Sequence, residues 1–135
     1  MDKKARAKLY MDYLTAEGYR PYVDEDGDVI FKSEGLTYII IIDANDEEYF
    51  RLVLPNFWGI ESGEELVRAL YAANHATQTT KVAKVYVRSD GKNTWAAIEM
   101  FIRPPENFKL VFSRAMSALK TAVDDFVSTM RETAK

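Results

Sequence analysis

Apolar residues recur at helical spacing through the last third of the chain, between residues 106 and 131. At 100° per residue they fall in a band about 120° wide, while serine, lysine and aspartate residues lie on the opposite side. This pattern predicts a long amphipathic helix of about 39 Å, whose far end we expect to extend beyond a small sheet. The band consists of Phe108, Val111, Phe112, Ala115, Leu119, Ala122, Val123, Phe126 and Met130.

Two further helices are predicted, one over residues 2–17 and one from Ser62 to about Thr77. Gly18 follows the first at the position of a left-handed C-terminal cap. Ser62 and Glu65 have the spacing of a capping box, in which each side chain binds the backbone N–H of the other residue. The predicted buried stripes are Leu9, Tyr10, Tyr13 and Leu14 in the first helix, and Leu66, Val67, Leu70 and Tyr71 in the second, with Asn74 on the same stripe.

Strands are predicted where β-branched and aromatic residues are concentrated. Tight turns between them need a glycine at positive φ, and three such turns are indicated, at Asp26-Gly27, Glu34-Gly35 and Asp90-Gly91. The predicted strands comprise residues 19–24, 28–33, 36–43, 49–55, 81–88 and 94–102.

A two-residue turn at Glu34-Gly35 would set the register of the strands on either side of it, because side chains alternate between the two faces of a sheet. One face would then carry Val29, Phe31, Tyr38, Ile40 and Ile42, and the other Ile30, Lys32, Thr37, Ile39 and Ile41. The first set is the better core, but the second is too apolar in its middle for free exposure. The last strand alternates in the same way, with Ala96, Ile98, Met100 and Ile102 opposite Trp95, Ala97, Glu99 and Phe101.

The predicted fold is a single α+β domain over residues 1–135, with the element order α-β-β-β-β-α-β-β-α. Hairpin-joined strands separated by helices indicate an antiparallel sheet with the helices packed mainly on one face. Hydrophobic residues make up 47% and charged residues 29% of the chain, which is typical of soluble globular proteins.

Composition excludes several classes of function. The chain has no cysteine and one histidine, which removes cysteine nucleophiles, disulfide scaffolds and nearly every zinc site. The longest strongly apolar stretch, residues 38–42, is far shorter than the roughly 20 residues of a membrane helix, and the charged start has no apolar signal region. We therefore expect a cytoplasmic protein that does not contact a membrane.

Nucleic-acid binding is also not expected. The net charge is −3, and the one basic cluster, Lys3, Lys4, Arg6 and Lys8, has the character of a solvated helix end. A nucleic-acid-binding domain usually carries a more extensive basic patch or stripe.

The most metal-like feature is the alternation of Asp24, Asp26 and Asp28. An EF-hand loop would need glycine at its sixth position and glutamate at its twelfth, but Val29 and Gly35 occupy these positions. The three aspartates are better explained as an acidic hairpin tip, because aspartate is common in turns. No metal site and no cofactor are predicted.

No catalytic residue is predicted, and the chain is not expected to be an enzyme. None of the common nucleotide-binding or hydrolase motifs occurs. His75 lies near the end of the second helix, where the helix dipole favours a histidine in any case.

Apolar residues remain that one layer of helices cannot readily cover. Such surfaces mark protein contacts when they are exposed, unless the long final helix or a second subunit covers them. The predicted protein-contact residues are Ile39, Ile41, Trp58, Trp95 and Phe101.

Residues 18–22 (GYRPY) and 24–31 (DEDGDVIF) resemble the opening of the YbjN-like proteins, a bacterial family described as sensory transduction regulators. The capped second helix with Asn74, the Asp90-Gly91 hairpin and the aromatic start of the last helix are similar to the rest of that family. The resemblance implies the fold of type III secretion chaperones, which are small, acidic, mostly dimeric α+β proteins that bind segments of other proteins. It implies no catalytic residues.

Two functions follow as hypotheses. The first is a non-enzymatic, homodimeric binding protein, chaperone-like or regulatory, that binds partner protein segments through its apolar sheet surface or by strand addition at a sheet edge. The second is a small-ligand sensor with a pocket between helices and sheet near Tyr71 and Asn74.

Overall fold

A computed structural model describes all residues from Met1 to Lys135 as three α-helices and one six-stranded sheet, in the predicted order. The α+β class is therefore confirmed. The helices are α1 (Lys3–Ala16), α2 (Gly63–Thr79) and α3 (Phe108–Thr133), with a 3₁₀ turn at Pro105–Asn107. The strands are β1 (Tyr22–Val23), β2 (Val29–Ser33), β3 (Leu36–Ile40), β4 (Tyr49–Gly59), β5 (Ala83–Val87) and β6 (Asn93–Phe101).

Neighbouring strands are antiparallel throughout the sheet, in the order β1-β2-β3-β4-β6-β5. The β2–β3 hairpin has the predicted register, in which Phe31 pairs with Tyr38. Both turn residues are left-handed, with φ of 52° at Glu34 and 81° at Gly35, as in the type I′ turn that joins two-residue hairpins. The turn thereby determines which side chains point to each face of the sheet.

All three helices pack on the same face of the sheet. The long helix α3 crosses β4, β5 and β6, α1 covers β1 and β2, and α2 packs on α3 and β5. The sheet contributes the predicted set of side chains to this core: Val29, Phe31, Tyr38, Ile40 and Ile42, joined by Phe50, Leu52, Leu54, Ala83, Val85, Ala96 and Ile98. No helix has the length and apolarity that a membrane crossing requires.

The far end of α3, which was expected to extend beyond the sheet, is packed against α2. Met130 is fully buried, and Arg68 of α2 donates from Nη2 to the Met130 carbonyl oxygen over 2.7 Å. Helix α2 forms a second support for α3, so the last turns of α3 are packed as well.

The predicted buried stripe of α2 was wrong for three of its four apolar residues, since only Leu66 packs against the core. Val67, Leu70 and Tyr71 are 68%, 53% and 60% exposed, and the buried residues are Ala69, Ala72, Ala73 and Ala76. Small side chains let the α2 backbone approach α3 and β5 closely, and interiors tolerate few voids. The larger apolar side chains are therefore left on the outer surface, where Asn74 is exposed as well.

Arg6 was predicted to lie at a solvated helix end, but it is only 1% exposed. Its Nη1 donates to the carbonyl oxygen of Asp43 over 2.5 Å, and its Nη2 donates to the carbonyl oxygen of Tyr49 over 3.1 Å. A buried charge is costly unless it is hydrogen-bonded. These two bonds tie α1 to the connection between β3 and β4.

Neither edge of the sheet offers a long unpaired strand. β1 has two residues, and short edge strands discourage pairing with other chains. On β5 the Thr77 hydroxyl of α2 accepts from the Val85 N–H over 2.8 Å and donates to the Val85 carbonyl oxygen over 3.1 Å. One side chain therefore occupies both outward backbone groups at the middle of this strand, which disfavours strand addition there.

The Thr77 contact gives a direct test of this edge protection. Thr77→Val keeps the shape of the side chain but leaves the Val85 N–H and carbonyl without a partner, which costs about 2 kcal/mol of unfolding free energy. Thr77→Ser retains the hydroxyl, so we expect it to lose less than half as much. Urea unfolding of the three proteins measures both changes, and a Thr77→Val variant as stable as the wild type would contradict the role of this hydroxyl.

Candidate functional site

The sheet face opposite the helices is not covered by any other element of the chain, and we call it the open face. Three buried apolar residues, Ile30, Val53 and Ala97, are absent from the continuous core and belong to this face. The open face consists of Tyr22, Ile30, Lys32, Thr37, Ile39, Ile41, Tyr49, Arg51, Val53, Lys84, Tyr86, Arg88, Trp95, Ala97, Glu99 and Phe101.

An apolar row crosses the middle of the open face. Ile30 pairs with Ile39, Ile39 with Val53, and Val53 with Ala97 across four strands. Residues in register on one face lie close enough for their side chains to touch. The row is thus continuous, and Ile39, which is only partly buried, is where it meets solvent.

The predicted contact residues Ile39, Ile41 and Phe101 all lie on the open face. Ile41 lies beside the apolar row, just after the end of β3, and is partly buried. Phe101, at the end of β6, is 76% exposed, and its ring centroid lies 6.1 Å from that of Tyr49. None of the three is sealed inside the molecule.

A charged network lies beside the apolar row on the open face, around Glu99. Its carboxylate accepts a hydrogen bond from the Tyr49 hydroxyl and lies 3.0 Å from Lys84 Nζ and 3.4 Å from Arg51 Nε. Arg51 also donates from Nη2 to the Tyr86 hydroxyl over 3.1 Å. The side chain of Glu99 is only 17% exposed, so the network is a packed part of the surface.

This packing shifts the pKa values of two groups in opposite directions. Desolvation and the hydrogen bond to Glu99 raise the pKa of Tyr49 to about 12. Burial alone would raise the pKa of Glu99, but the hydrogen bonds from Tyr49 and Lys84 and the charges of Lys84 and Arg51 outweigh it and hold that pKa below its ordinary value. At neutral pH the site therefore contains a carboxylate and a neutral phenol.

Trp95 lies on the open face but is less available for contacts than its sequence position indicated. The Arg88 guanidinium stacks over its ring at 3.8 Å from the centroid, and its Nε1 donates to Asn56 Oδ1 over 2.9 Å. Such cation–π stacking is favourable in itself. Trp95 is therefore held in place by its own chain.

Trp58 does not belong to this surface, although it was predicted to do so. It packs on the helical side, with its ring centroid 5.7 Å from that of Phe126 in α3, and its Nε1 donates to Glu65 Oε2 over 3.1 Å. The register of β4 shifts between Leu54 and Trp58, and a bulge of this kind redirects side chains. The prediction that Trp58 lies on this surface is therefore wrong.

The predicted ligand pocket near Tyr71 and Asn74 is not found at these residues. Both side chains lie on the outer surface of α2, and the space between α2 and the sheet is filled by alanines. Tyr71 stacks on His75 with a 6.4 Å centroid separation and 12° between the ring planes. This arrangement is a surface feature of one helix.

Asp24, Asp26 and Asp28 do come together, with their oxygens within 4.8 Å of one another. Asp24 Oδ1 accepts from the backbone N–H groups of Asp26 and Asp28, and Asp28 Oδ1 accepts from the Ile42 N–H. Lys3 Nζ lies 3.5 Å from Asp28 Oδ1. These contacts explain why the three aspartates lie close together, since they stabilise the turn.

Comparison with known proteins supports the fold alone. No protein-family model matches the chain, and no curated protein matches its sequence. The crystal structure of an uncharacterized protein from Methanothermobacter thermautotrophicus is similar, with a TM-score of 0.59 and 13% sequence identity. The similarity covers 94% of this chain and 95% of the other. At this identity it indicates a shared architecture over nearly the whole length.

The network around Glu99 predicts a pH-dependent loss of stability. Glu99→Gln removes the carboxylate that balances Arg51 and Lys84, so we expect about 1–3 kcal/mol less unfolding free energy at pH 7. Because the folded pKa of Glu99 is depressed, its contribution is present above the unfolded value near 4.3 and disappears as the pH falls through the folded value.

Urea unfolding at pH 7 and pH 3 measures this dependence, with the exposed Glu132→Gln as the control. The difference between wild type and Glu99→Gln should shrink at pH 3, whereas Glu132→Gln should stay within about 0.5 kcal/mol of wild type at both values. A deficit that is absent at pH 7, or one that grows at pH 3, would contradict the network.

Proposed function

We propose that this protein is a non-enzymatic protein-binding domain that binds partner protein segments through the open face of its sheet. The observation that carries the proposal is the set of solvent-accessible apolar side chains Ile39, Ile41 and Phe101 on a face that no helix covers. Exposed apolar surfaces of this kind mark sites of protein contact.

The size of the open face suits a specific interface. Six strands about 4.8 Å apart, each rising about 3.4 Å per residue, form a surface of several hundred Å². A standard protein–protein interface uses about 800 Å² of accessible surface on each partner. The open face alone therefore has an accessible area that approaches that of a standard interface.

Charge on the open face favours an acidic partner segment. The face carries four basic side chains, Lys32, Arg51, Lys84 and Arg88, but only one acidic side chain, Glu99. The chain as a whole has a net charge of −3, so this face stands out as cationic. Complementary charge steers partners and excludes wrong ones, and the partner we propose is a segment that combines apolar with aspartate or glutamate residues.

Protein is favoured over nucleic acid as the partner because the cationic excess of this face is small and three of its four basic side chains already have contacts within the chain. Glu99 engages Arg51 and Lys84, and Arg88 is stacked on Trp95. Binding to a phosphate backbone relies on unpaired cations, whereas the apolar row offers nothing to phosphates.

The biological role belongs to the same proposal. The resemblance to YbjN-like proteins supports a chaperone-like or regulatory role in the cytoplasm, and binding an apolar, acidic segment of another protein is compatible with either role.

The homodimer is a separate proposal. Two copies of the open face would repel each other through their cationic excess, so partner binding at this face does not depend on it.

Selection from a random peptide library against the wild-type protein tests the proposed partner chemistry. We expect enrichment of peptides that combine apolar and acidic residues. Ile41→Asp should raise the Kd of the best selected peptide about tenfold or more, because it replaces an apolar contact by a carboxylate. Fluorescence anisotropy of the labelled peptide measures the change.

Leu70→Asp is the matched control, since Leu70 is 53% exposed on the outer surface of α2, and its Kd should stay within about twofold of wild type. Enrichment of basic peptides, no enrichment, or an equal loss of affinity in both variants would contradict the proposal.

Sedimentation equilibrium at tens of micromolar tests the homodimer separately, and a mass of 15.5 kDa would count against it.

A further inference from the structure

A second surface feature lies on the helical side of the molecule, away from the open face. A groove of about 330 Å³ runs between α3 and the segment that enters β5. Its wall is apolar, formed by Val82, Met100, Val111, Ala115 and Ala118. This volume is at the lower end of the range of small-molecule binding sites.

Two cations complete the lining of the groove. Lys81 and Arg114 contact both this groove and an adjoining polar cavity of about 280 Å³. Neither takes part in any of the ion pairs of the structure. No acidic side chain lines either cavity, and the remaining polar groups of the adjoining one are hydroxyls. The groove thus combines an apolar wall with uncompensated positive charge.

The backbone at Val82 shapes the entrance to the groove. Val82 has a φ of +66°, and the Ala83 N–H donates to the Lys81 carbonyl oxygen over 2.6 Å, which closes a tight turn. A β-branched residue in the left-handed region is strained, and strain of this kind clusters at functional sites. The turn leaves the Val82 side chain 58% exposed beside the groove.

A peptide strand is a poor occupant for this groove. The Ala83 N–H is already bound to Lys81, and the Thr77 hydroxyl occupies the N–H and the carbonyl of Val85. Strand addition depends on free backbone groups at a sheet edge. The groove offers instead an apolar wall and two cationic side chains, which together fit a molecule with an alkyl chain and one carboxylate.

We propose that this groove binds a small amphiphilic carboxylate. The alkyl chain lies along Met100, Val111 and Ala115, and the carboxylate is bound by Lys81 and Arg114. The site is separate from the open face, so it does not depend on the protein-binding function proposed above.

Titration with decanoate, followed by methyl NMR of the full chain, tests this proposal. We expect saturable one-to-one binding below the concentration at which decanoate forms micelles, with the largest shifts at Val82, Val111, Ala115 and Ala118. Decanol, which lacks the carboxylate, should bind several-fold more weakly. Shifts centred on Ile39 and Ile41, or on Val67 and Leu70, would place binding elsewhere and overturn the proposal.

Two variants separate the apolar wall from the charges. Ala118→Phe fills the groove and should abolish saturable binding. The double variant Lys81→Gln, Arg114→Gln changes exposed residues only and should raise the Kd for decanoate roughly fivefold. Arg131→Gln, on the exposed last turn of the same helix, should leave the Kd unchanged.

Affinity that the double variant leaves unchanged would overturn the role of the cations, even if Ala118→Phe fails to fold. An acidic apolar peptide that produces the same shifts while decanoate produces none would assign the groove to a protein partner and contradict the proposal.

Discussion

Packing of α3 across one face of the sheet is the interaction on which the rest of the structure depends. Phe108, Leu119, Phe126 and Met130 of this helix are fully buried against the sheet and its neighbours. Each such side chain contributes about 1.5–3 kcal/mol on burial. Together they contribute an amount comparable to the whole net stability of a domain. The alanine face of α2 and the hydrogen bonds of Arg6 in α1 hold the other two helices in the same layer.

Because all three helices lie on that face, the other face is in contact with water and has no helix to cover its apolar residues. Val53 and Ala97 are fully buried although no helix covers them, and Glu99 connects the charged and phenolic side chains of three strands in one network. What remains accessible, chiefly Ile39, Ile41 and Phe101, is the surface for which we propose a partner.

Much of the fold could be predicted because local signals agreed with the tertiary structure. The Glu34-Gly35 turn has a backbone conformation that only a few residue types adopt readily, and it determined the register of β2 and β3. The apolar band of α3 predicted both its length and its buried side. The separation of Ile39 and Ile41 from Ile40 and Ile42 follows from alternation along one strand.

The errors arose where side-chain size or a local irregularity decided the outcome. In α2, four alanines form the contact face, and periodicity of large apolar residues pointed to the opposite side. Trp58 follows a shift of register in β4 that alternation does not reveal. Arg6 has the composition of a surface residue, but two backbone carbonyls from a distant loop make its burial possible. None of these contacts is visible in the sequence near the residue concerned.

The central claim is that one face of the sheet is the core and the other is open, and two adjacent isoleucines test it most directly. Ile40 is 1% exposed in the core, whereas Ile39 is partly exposed on the open face. Urea unfolding of Ile39→Asp and Ile40→Asp compares the two faces at neighbouring positions.

We expect Ile40→Asp to lose more than about 4 kcal/mol or to fail to fold, since it buries a carboxylate. Ile39→Asp should unfold cooperatively with a loss of about 1 kcal/mol. An equal loss of unfolding free energy in the two variants would contradict this claim, because it would mean that both faces of the sheet are core.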